Sequence, residues 1–314
     1  YYEAPPDYRG ECPARILTNT TDSRLIALDA LSGERCIQFG DQGEVDLTTG
    51  MGNDPRISNF QTSPPGIVRG NAVVGGWVID NRAVGPPSGV IRAFNALSGE
   101  FAWAWDMGRP GVYTEPLRGE VYTRGTPNVW SLFSVDEELG LIYAPTGNET
   151  PDYYGAHRLE VSEQYASSVV AIDGETGAPR WSYQTVHHDI WDYDVPSQPT
   201  LIDLPDDDGN KVKAVLMPTK RGEVFVLNRE TGEPLFDIQE LPVPQDGGVP
   251  EDYVAATQPF SMDLPTFRME LDETKMWGVT PLDQLWCRIE YKKMRYDGHF
   301  TVPGTDMILQ NPGA

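Results

Sequence analysis

The segment RLIALDALSGE at residues 24–34 decides the fold, because its pattern returns three times along the chain. An apolar strand ending in Asp or Asn, two further residues, and then Ser or Thr followed by Gly also occur at 90–100 (VIRAFNALSGE), 168–178 (SVVAIDGETGA) and 223–233 (EVFVLNRETGE). The Asp or Asn side chain can accept hydrogen bonds from backbone N–H groups across a turn, and the Gly can adopt a positive φ. Each segment therefore predicts a strand, a tight turn and the start of a return strand.

A tryptophan follows the turn glycine at the same distance in two repeats, from Gly99 to Trp103 and from Gly177 to Trp181. One large aromatic side chain per sheet is suited to a wedge between stacked sheets. The apolar runs ARILTNT, NAVVGGWVID, GLIYAPTG and KAVLMPT precede the turns and supply further strands. We therefore predict an all-β fold in which residues 1–240 form four blades of a β-propeller, whose radial repetition protects the sheet edges. A sandwich or another antiparallel array is the alternative.

The region after the fourth repeat has a different composition. Residues 241–314 are rich in proline and include one predicted short helix at Pro281–Met294. Its apolar residues fall on one helical face: Leu282, Leu285, Trp286 and Ile289. We interpret this region as a long excursion from the propeller and part of the same domain.

Composition and charge exclude several classes of protein. With 31 Gly, 27 Pro, 8 Trp and 14 Tyr among its 314 residues, the chain is turn-rich and too aromatic to be disordered. A formal charge of −23 argues against nucleic acid or an anionic membrane surface as a partner. A Cys12–Cys36 disulfide is possible in an oxidising compartment. No apolar run reaches the roughly 18 residues needed to span a bilayer, so any anchor is expected outside this sequence.

The stretch WSYQTVHHDIWDYDVPSQP at 181–199 has neither helical nor strand periodicity. It lies between two β-patterns, which predicts a loop held between strands, where site residues are often found. It contains two histidines, three acids and a tryptophan that we expect to be exposed: His187, His188, Asp189, Asp192, Asp194 and Trp191. The alternative is an acidic surface loop in which the histidine pair caps a turn.

Five further positions have side chains suited to a site, although each also has a purely structural explanation. Asp80, Asn81 and Asn148 follow apolar strands and are also typical turn residues; Trp130 suits a core and Lys220 a surface. In a propeller, equivalent strand ends converge on one central channel. Convergence would bring together oxygen ligands suited to Ca²⁺ and unsuited to zinc, a carboxylate base, a flat aromatic surface and a cation.

With these residues in place, the whole chain resembles the pyrroloquinoline quinone (PQQ)-dependent dehydrogenases, most closely the membrane-bound branch that oxidises glucose or quinate and shikimate. The resemblance rests on many segments, including TSPP, VIDN, TPNVW, PTGNETPDYYG, QTVHHDIWDYDVPSQPTL, PTKRGEVFVLNRETGEP and MWGVTPLDQLWCRI. It implies an eight-bladed propeller of the quinoprotein type, of which this chain would hold about half.

The resemblance also implies roles for individual residues. Trp130 matches the tryptophan on which the quinone stacks, and Thr62 a threonine that contacts the cofactor carboxylates. Lys220 matches a cation that bonds the quinone carbonyls, and Asp192 the general base. The ligands it implies for a Ca²⁺ (or Mg²⁺) ion are Asp80, Asn81, Asn148 and Asp192. The chain departs from the soluble alcohol-oxidising branch, because it has no adjacent cysteine pair and has Trp77 where that branch has a small hydroxyl residue.

By resemblance, the function is PQQ-dependent oxidation of a small polyol, with quinate or shikimate favoured over glucose and ubiquinone as the electron acceptor. The implied location is the periplasmic face of the bacterial inner membrane, with a membrane segment absent from this chain. Two other readings stay open: a cofactor-free propeller scaffold, and an inactive fragment of a dehydrogenase.

Overall fold

The computed structural model describes residues 1–52, 59–206 and 208–311, and the strands in these ranges pair antiparallel throughout. The first sheet has the order β1-β2-β3-β4. Its strands are β1 (Tyr2–Glu3), β2 (Ala14–Asn19), β3 (Arg24–Asp29) and β4 (Glu44–Asp46).

The next strands are β5 (Asn59–Phe60), β6 (Gly66–Val68), β7 (Asn71–Val74), β8 (Trp77–Val78), β9 (Ile91–Asn95) and β10 (Phe101–Trp105). The second sheet has the order β10-β9-β7-β6, and β5 pairs with β8 alone. The third sheet, in the order β11-β12-β13-β14, consists of β11 (Ser134–Asp136), β12 (Leu141–Pro145), β13 (Ser168–Asp173) and β14 (Pro179–Gln184). The fourth consists of β15 (Thr200–Pro205), β16 (Lys211–Pro218) and β17 (Val224–Asn228).

The four repeated turns form as predicted. Each follows the third strand of its sheet in chain order, and the Asp or Asn side chain accepts hydrogen bonds from the backbone N–H groups two and three residues later. In the first turn, Leu31 N and Ser32 N donate to Asp29 Oδ1 at 3.0 and 2.7 Å. The same bonds recur at Asn95, Asp173 and Asn228. All four turn glycines have φ between 74° and 78°, which a residue with a side chain adopts only at a cost. In the second and third repeats, the turn leads directly into a return strand, β10 or β14, that pairs with the strand before the turn.

The tryptophan wedge is also confirmed. Trp103 of β10 is buried, and its Nε1 donates to Gly174 O in the turn of the third sheet at 3.0 Å. Trp181 of β14 repeats this contact one sheet further on, donating to Arg229 O at 3.2 Å. A Cβ placed on Gly177 would lie 2.5 Å from the Trp103 ring, so the indole fills the space that the glycine leaves. The repeat therefore encodes both the turn and its contact with the preceding sheet.

The hydrophobic core lies between successive sheets rather than at one centre. One cluster joins the first two sheets, the next joins the second and third, and another joins the third and fourth. Val73 and Trp105 from the second sheet, for example, share a cluster with Ile142 and Ile172 from the third. Sheets stacked face to face in sequence order are the arrangement expected of neighbouring propeller blades. The loops at one end of these sheets are thereby brought together.

The described residues also contain two α-helices and a hairpin outside the four sheets. A short helix, α1 (Glu160–Glu163), lies between β12 and β13. β18 (Ile238–Pro242) pairs with β19 (Thr257–Ser261), followed by a 3₁₀ turn (Glu273–Lys275) and helix α2 (Pro281–Lys293). Helix α2 confirms the prediction and begins with a capping box between Thr280 and Asp283. Its apolar face is exposed in the structure.

Cys12 and Cys36, for which the sequence leaves the disulfide state open, form a disulfide, and Cys287 is a free thiol. No helix within the described ranges is long and apolar enough to cross a membrane.

Candidate active site

Five of the predicted site residues meet at one cavity. The cavity has a volume of about 200 Å³ and is lined by Trp77, Asp80, Asn128, Trp130, Asn148, Asp152, Asp192, Asp194 and Lys220. Asp80 follows β8, Asn148 follows β12 and Lys220 follows β16. Residues that are far apart in the sequence, and that follow strands of three different sheets, therefore line one cavity. The predicted residues Thr62 and Asn81 do not line the cavity.

The loop that carries Asp192 is held by Asp189, which is completely buried. The Asp189 carboxylate accepts hydrogen bonds from Trp191 N at 2.9 Å and Tyr193 N at 2.8 Å, and from the Ser167 hydroxyl. These bonds bend the backbone so that Asp192 has a φ of 60°, a left-handed conformation that Asp tolerates better than most residues. Asp189 thus shapes the loop, while Asp192 faces the cavity.

The expectation that Trp191 is exposed is wrong. Its side chain is 0% exposed, and its Nε1 donates to Thr301 O at 2.9 Å. Trp191 packs edge-on against Phe300, 4.9 Å between ring centres. The tryptophan therefore anchors the loop to the segment near residue 300, a contact between distant parts of the chain that the local pattern does not reveal.

Asp194 connects three groups of the cavity wall, and the sequence analysis gave it no role. Its Oδ1 accepts from Asn148 N at 2.6 Å, and its Oδ2 accepts from Trp130 Nε1 at 3.0 Å and from Lys220 Nζ at 3.3 Å. The only signal in the sequence is the alternation Asp192-Tyr193-Asp194. Because Asp192 and Asp194 are two residues apart, with the buried Tyr193 between them, both aspartates can face the same cavity.

Lys220 is the cation among these acids. Its ammonium group lies 2.9 Å from Asp192 Oδ1 and 3.3 Å from Asp194 Oδ2. Burial alone would lower the pKa of Lys220, but the two carboxylates outweigh burial and raise it. The side chain is therefore charged at neutral pH.

The cavity holds more negative charge than one lysine balances. Burial, and then the neighbouring Asp194, raises the pKa of both Asp80 and Asp192. Burial also raises the pKa of Asp152 to about 8, with contributions from Asp192, Asp80 and Asp194. Crowded carboxylates of this kind are stabilised by an additional cation.

The donor chemistry of the cavity fits a hard divalent cation, because it consists of carboxylate and amide oxygens. In the part of the chain that the structure describes, however, no group of three or more His, Cys, Asp or Glu side chains is arranged so that it could hold a metal ion. The Asn148 amide donates to Asp152 O and Asp189 O, at 3.1 and 2.7 Å, and its oxygen accepts from Glu149 N at 2.8 Å, which leaves one lone pair of that oxygen for a further partner.

Two predicted residues lie behind the wall of the cavity. Asn81 donates from Nδ2 to Asp152 Oδ2 at 2.6 Å and accepts from Asp152 N at 2.9 Å, so that it positions Asp152. Thr62 donates to Trp130 O at 2.6 Å, beside the same bond from Ser63 at 2.8 Å. Thr62 therefore holds the backbone of the half-buried Trp130. The sequence analysis did not identify Asp152 or Asn128 as members of the site.

The histidine pair is separate from this cavity. His188 is buried between Glu163 and Asp252 and stacks on Tyr253, with ring centres 3.7 Å apart. His187 contacts Gln184 and Glu240, each at 2.9 Å. Both histidines link the loop to neighbouring segments.

Known proteins resemble this chain over most of its length. The family model described as "PQQ: Glucose/ethanol/alcohol dehydrogenase, beta-propeller domain" matches residues 1–314. Relatives include the glycerol dehydrogenase large subunit of Gluconobacter oxydans, 47% identical over 96% of this chain and 41% of the relative. The quinate/shikimate dehydrogenase (quinone) of Acinetobacter baylyi is 42% identical over 97% of this chain and 38% of the relative. The quinoprotein glucose dehydrogenase of Escherichia coli is 41% identical over 99% and 39%.

The chain thus spans about two-fifths of the length of these curated relatives. Among solved structures, the quinohemoprotein alcohol dehydrogenase from Comamonas testosteroni has a TM-score of 0.57 at 24% identity, covering 80% of this chain and 37% of the other. That likeness supports the β-propeller fold. The family match over residues 1–314 shows that the chain belongs to the PQQ-dependent dehydrogenases and lies in their β-propeller domain.

Proposed function

We propose that the full protein containing this chain oxidises a small polyol with PQQ as its cofactor. The observation that carries this proposal is one cavity in which Asp192 and Lys220 lie 2.9 Å apart beside Trp130, Asp80 and Asn148. Membership of the family supports PQQ as the cofactor, and the cavity contains the side chains that such a reaction needs. A cofactor-free scaffold would have no use for a partly buried lysine among four carboxylates.

When bound, PQQ supplies an o-quinone that accepts two electrons, and Ca²⁺ or Mg²⁺ supplies Lewis acidity. In this chain, Trp130 would give the flat apolar surface on which the ring rests. Thr62 would contribute by fixing the Trp130 backbone. Asp80, Asn148 and Asp192 would provide oxygen ligands for the cation, with Asn81 acting through Asp152.

Asp192 would act as the general base, removing the proton from the substrate hydroxyl. Its carboxylate faces the cavity and is held beside Lys220, whose positive charge opposes the effect of burial and favours the ionised form. Lys220 would in turn stabilise negative charge that develops on an oxygen near its ammonium group.

The substrate proposed is a polyol, with quinate or shikimate favoured. Relatives of similar identity are named for glycerol, quinate or shikimate, and glucose, so their names support the class rather than one compound. Ubiquinone is the proposed electron acceptor. The proposed location is the periplasmic face of the bacterial inner membrane, through a segment outside this chain.

The proposed architecture is an eight-bladed propeller. Residues 1–240 would supply four blades, residues 241–314 an excursion of the same domain, and the remainder of the protein the other blades. This agrees with the share of the curated relatives that the chain spans.

The experiment that tests the function is dye-linked reduction by the full-length protein, reconstituted with PQQ and Ca²⁺, on quinate, shikimate, glucose and glycerol. We expect turnover that requires both PQQ and the cation. If no polyol is oxidised and PQQ does not bind, the scaffold reading replaces this one.

A further inference from the structure

A second cavity, of about 330 Å³, lies on the other side of Lys220, and it is basic where the first is acidic. Arg221, Arg268 and His299 line it together with Lys220, and no Asp or Glu side chain belongs to its lining among the described residues. A basic cavity is unexpected in a chain with a net charge of −23. The two cavities share Lys220, so a ligand that spans its side chain could reach both.

Arg221, which lines this cavity, has buried hydrogen-bond donors that are not used. The residue is 1% exposed, and its Nη1 donates to Thr185 O and Pro259 O, both at 2.8 Å. Its Nε and Nη2 atoms have no partner among the described residues. Buried guanidinium N–H groups are costly to leave unbonded, which calls for an explanation such as an absent ligand.

The guanidinium of Arg221 is held in place by two aromatic rings. Its central carbon lies 4.8 Å from the centre of the Phe260 ring and 4.7 Å from that of Phe300. Burial lowers the pKa of Arg221 to about 10, although Glu223 opposes the effect. The group is therefore still charged at neutral pH. Its orientation is fixed by packing, as in sites that are organised before the ligand arrives.

His299 is the second buried group without partners. It is 5% exposed, and neither ring nitrogen makes a hydrogen bond of good geometry among the described residues, although the Met269 backbone lies near the ring. Burial first, and then Arg268 and Arg221, lowers the pKa of His299 to about 4. At neutral pH the imidazole is uncharged, so it offers one N–H donor.

Arg268 differs because its charge is already balanced. It lies 3.0 Å from Glu223 Oε1, and the buried Glu223 also accepts from Ser261 N at 2.9 Å. Among the described residues, Arg221 makes no comparable ion pair. The cavity therefore has one buried positive charge in excess and unused donors on two residues.

We propose that this second cavity binds the carboxylate of a small hydroxy acid, so that the substrate is an acidic polyol of the quinate class rather than a neutral sugar. The proposal rests on the proposed function, which places the substrate hydroxyl near Asp192 across Lys220. A guanidinium fits a carboxylate through two parallel N–H donors, and His299 adds a third. PQQ also carries carboxylates, so the test separates substrate from cofactor as the source of the group.

The test is isothermal titration calorimetry of the full-length protein, with and without PQQ, against quinate and against its uncharged methyl ester. We expect quinate to bind at least about tenfold more tightly than the ester, the effect of one charge-assisted bond. In Arg221→Met and in His299→Leu, the preference should fall to about threefold or less. If Arg221→Met does not fold, His299→Leu still tests the proposal, because this substitution removes only an uncharged hydrogen-bond donor.

The matched control is Arg92→Met, which removes another buried arginine that donates to backbone carbonyls, Leu47 O and Thr49 O, away from both cavities. It should destabilise the protein and leave the preference for the acid unchanged. Equal or undetectable binding of the acid to the wild type would overturn the proposal, as would a preference that both substitutions leave intact.

Two further outcomes identify the cause of a failure. If PQQ abolishes quinate binding and Arg221→Met weakens PQQ binding itself, the cavity holds a cofactor carboxylate, and the substrate assignment is wrong. If the preference for the acid is present and responds to the substitutions, but the PQQ-loaded protein oxidises no polyol, the carboxylate site stands while the proposed function fails.

Discussion

At the scale of single residues, Asp194 has the most contacts with other members of the candidate site. One carboxylate accepts from the Asn148 backbone, the Trp130 indole and the Lys220 ammonium group. Its removal would leave the Trp130 indole, the proposed metal ligand Asn148 and the Lys220 ammonium group less firmly positioned. Asp194 is a positioning residue, since its bonds are to the groups of the site.

Asp194→Asn should weaken PQQ binding by about tenfold or more, because the neutral amide offers one acceptor oxygen and loses the attraction to Lys220. The measurement is the PQQ affinity of the full-length protein by fluorescence titration. Glu175→Gln, which neutralises an exposed acid in a turn, is the matched control and should bind PQQ as the wild type does. Unchanged affinity in Asp194→Asn would show that Asp194 does not organise the site.

At the scale of the structural elements, the tryptophan wedges hold one sheet to the next. Trp103→Ala should lower the free energy of unfolding by about 3–5 kcal/mol, because it empties a buried site and removes the bond to Gly174 O. Urea denaturation of the full-length protein measures the change. Trp286→Ala, the same substitution on the exposed face of α2, should change stability by less than about 0.5 kcal/mol. A similar loss in both variants would contradict the wedge.

A second device at this scale joins the loop of Asp192 to α1 and to the segment of residue 252. His188 lies 2.9 Å from Asp252 on one side and bonds Glu163 on the other. Burial alone would lower the pKa of His188, but the hydrogen bonds and charges of Asp252 and Glu163 outweigh it and raise the pKa. Arg158, 3.6 Å from Glu163, is the other charge nearby.

Because the pKa of His188 is raised in the folded state, its contribution to stability is fully present below the unfolded value of about 6.5 and is lost as pH rises through the folded pKa. His188→Gln should therefore destabilise the protein by about 3–5 kcal/mol at pH 6, the cost of breaking a buried pair. The difference should shrink as pH rises. Urea denaturation of wild type and variant from pH 5 to 9 measures it, and a difference that is constant over this range would contradict the ion pair.

At the scale of the whole molecule, the sequence predicts what is local and repeated. The strand-turn repeats, the wedge spacing and α2 each depend on residues close together in the sequence, and all appear in the structure. Convergence of Asp80, Trp130 and Lys220 follows from the repeats once the sheets stack. The stacking of the sheets thus brings residues that the sequence predicts separately into one site.

What the sequence does not reveal depends on contacts between distant segments. The burial of Trp191 requires Thr301 and Phe300, more than a hundred residues later, and Asp152 enters the site through Asn81. Asp194 was visible as an acid, but its partners Trp130 and Lys220 are set by the packing of separate sheets. The basic cavity behind Lys220 likewise joins residues 219–222 to residues near 268 and 299.

The measurement that tests the central claim most directly is made on Asp192→Asn in the full-length protein. Bound PQQ and dye-linked turnover of the preferred polyol are determined on the same preparation. The account predicts that the variant keeps PQQ and loses turnover by about 10²–10⁴-fold, the contribution typical of a general base. Turnover close to that of the wild type, with PQQ bound, would contradict the assignment of Asp192 as the base.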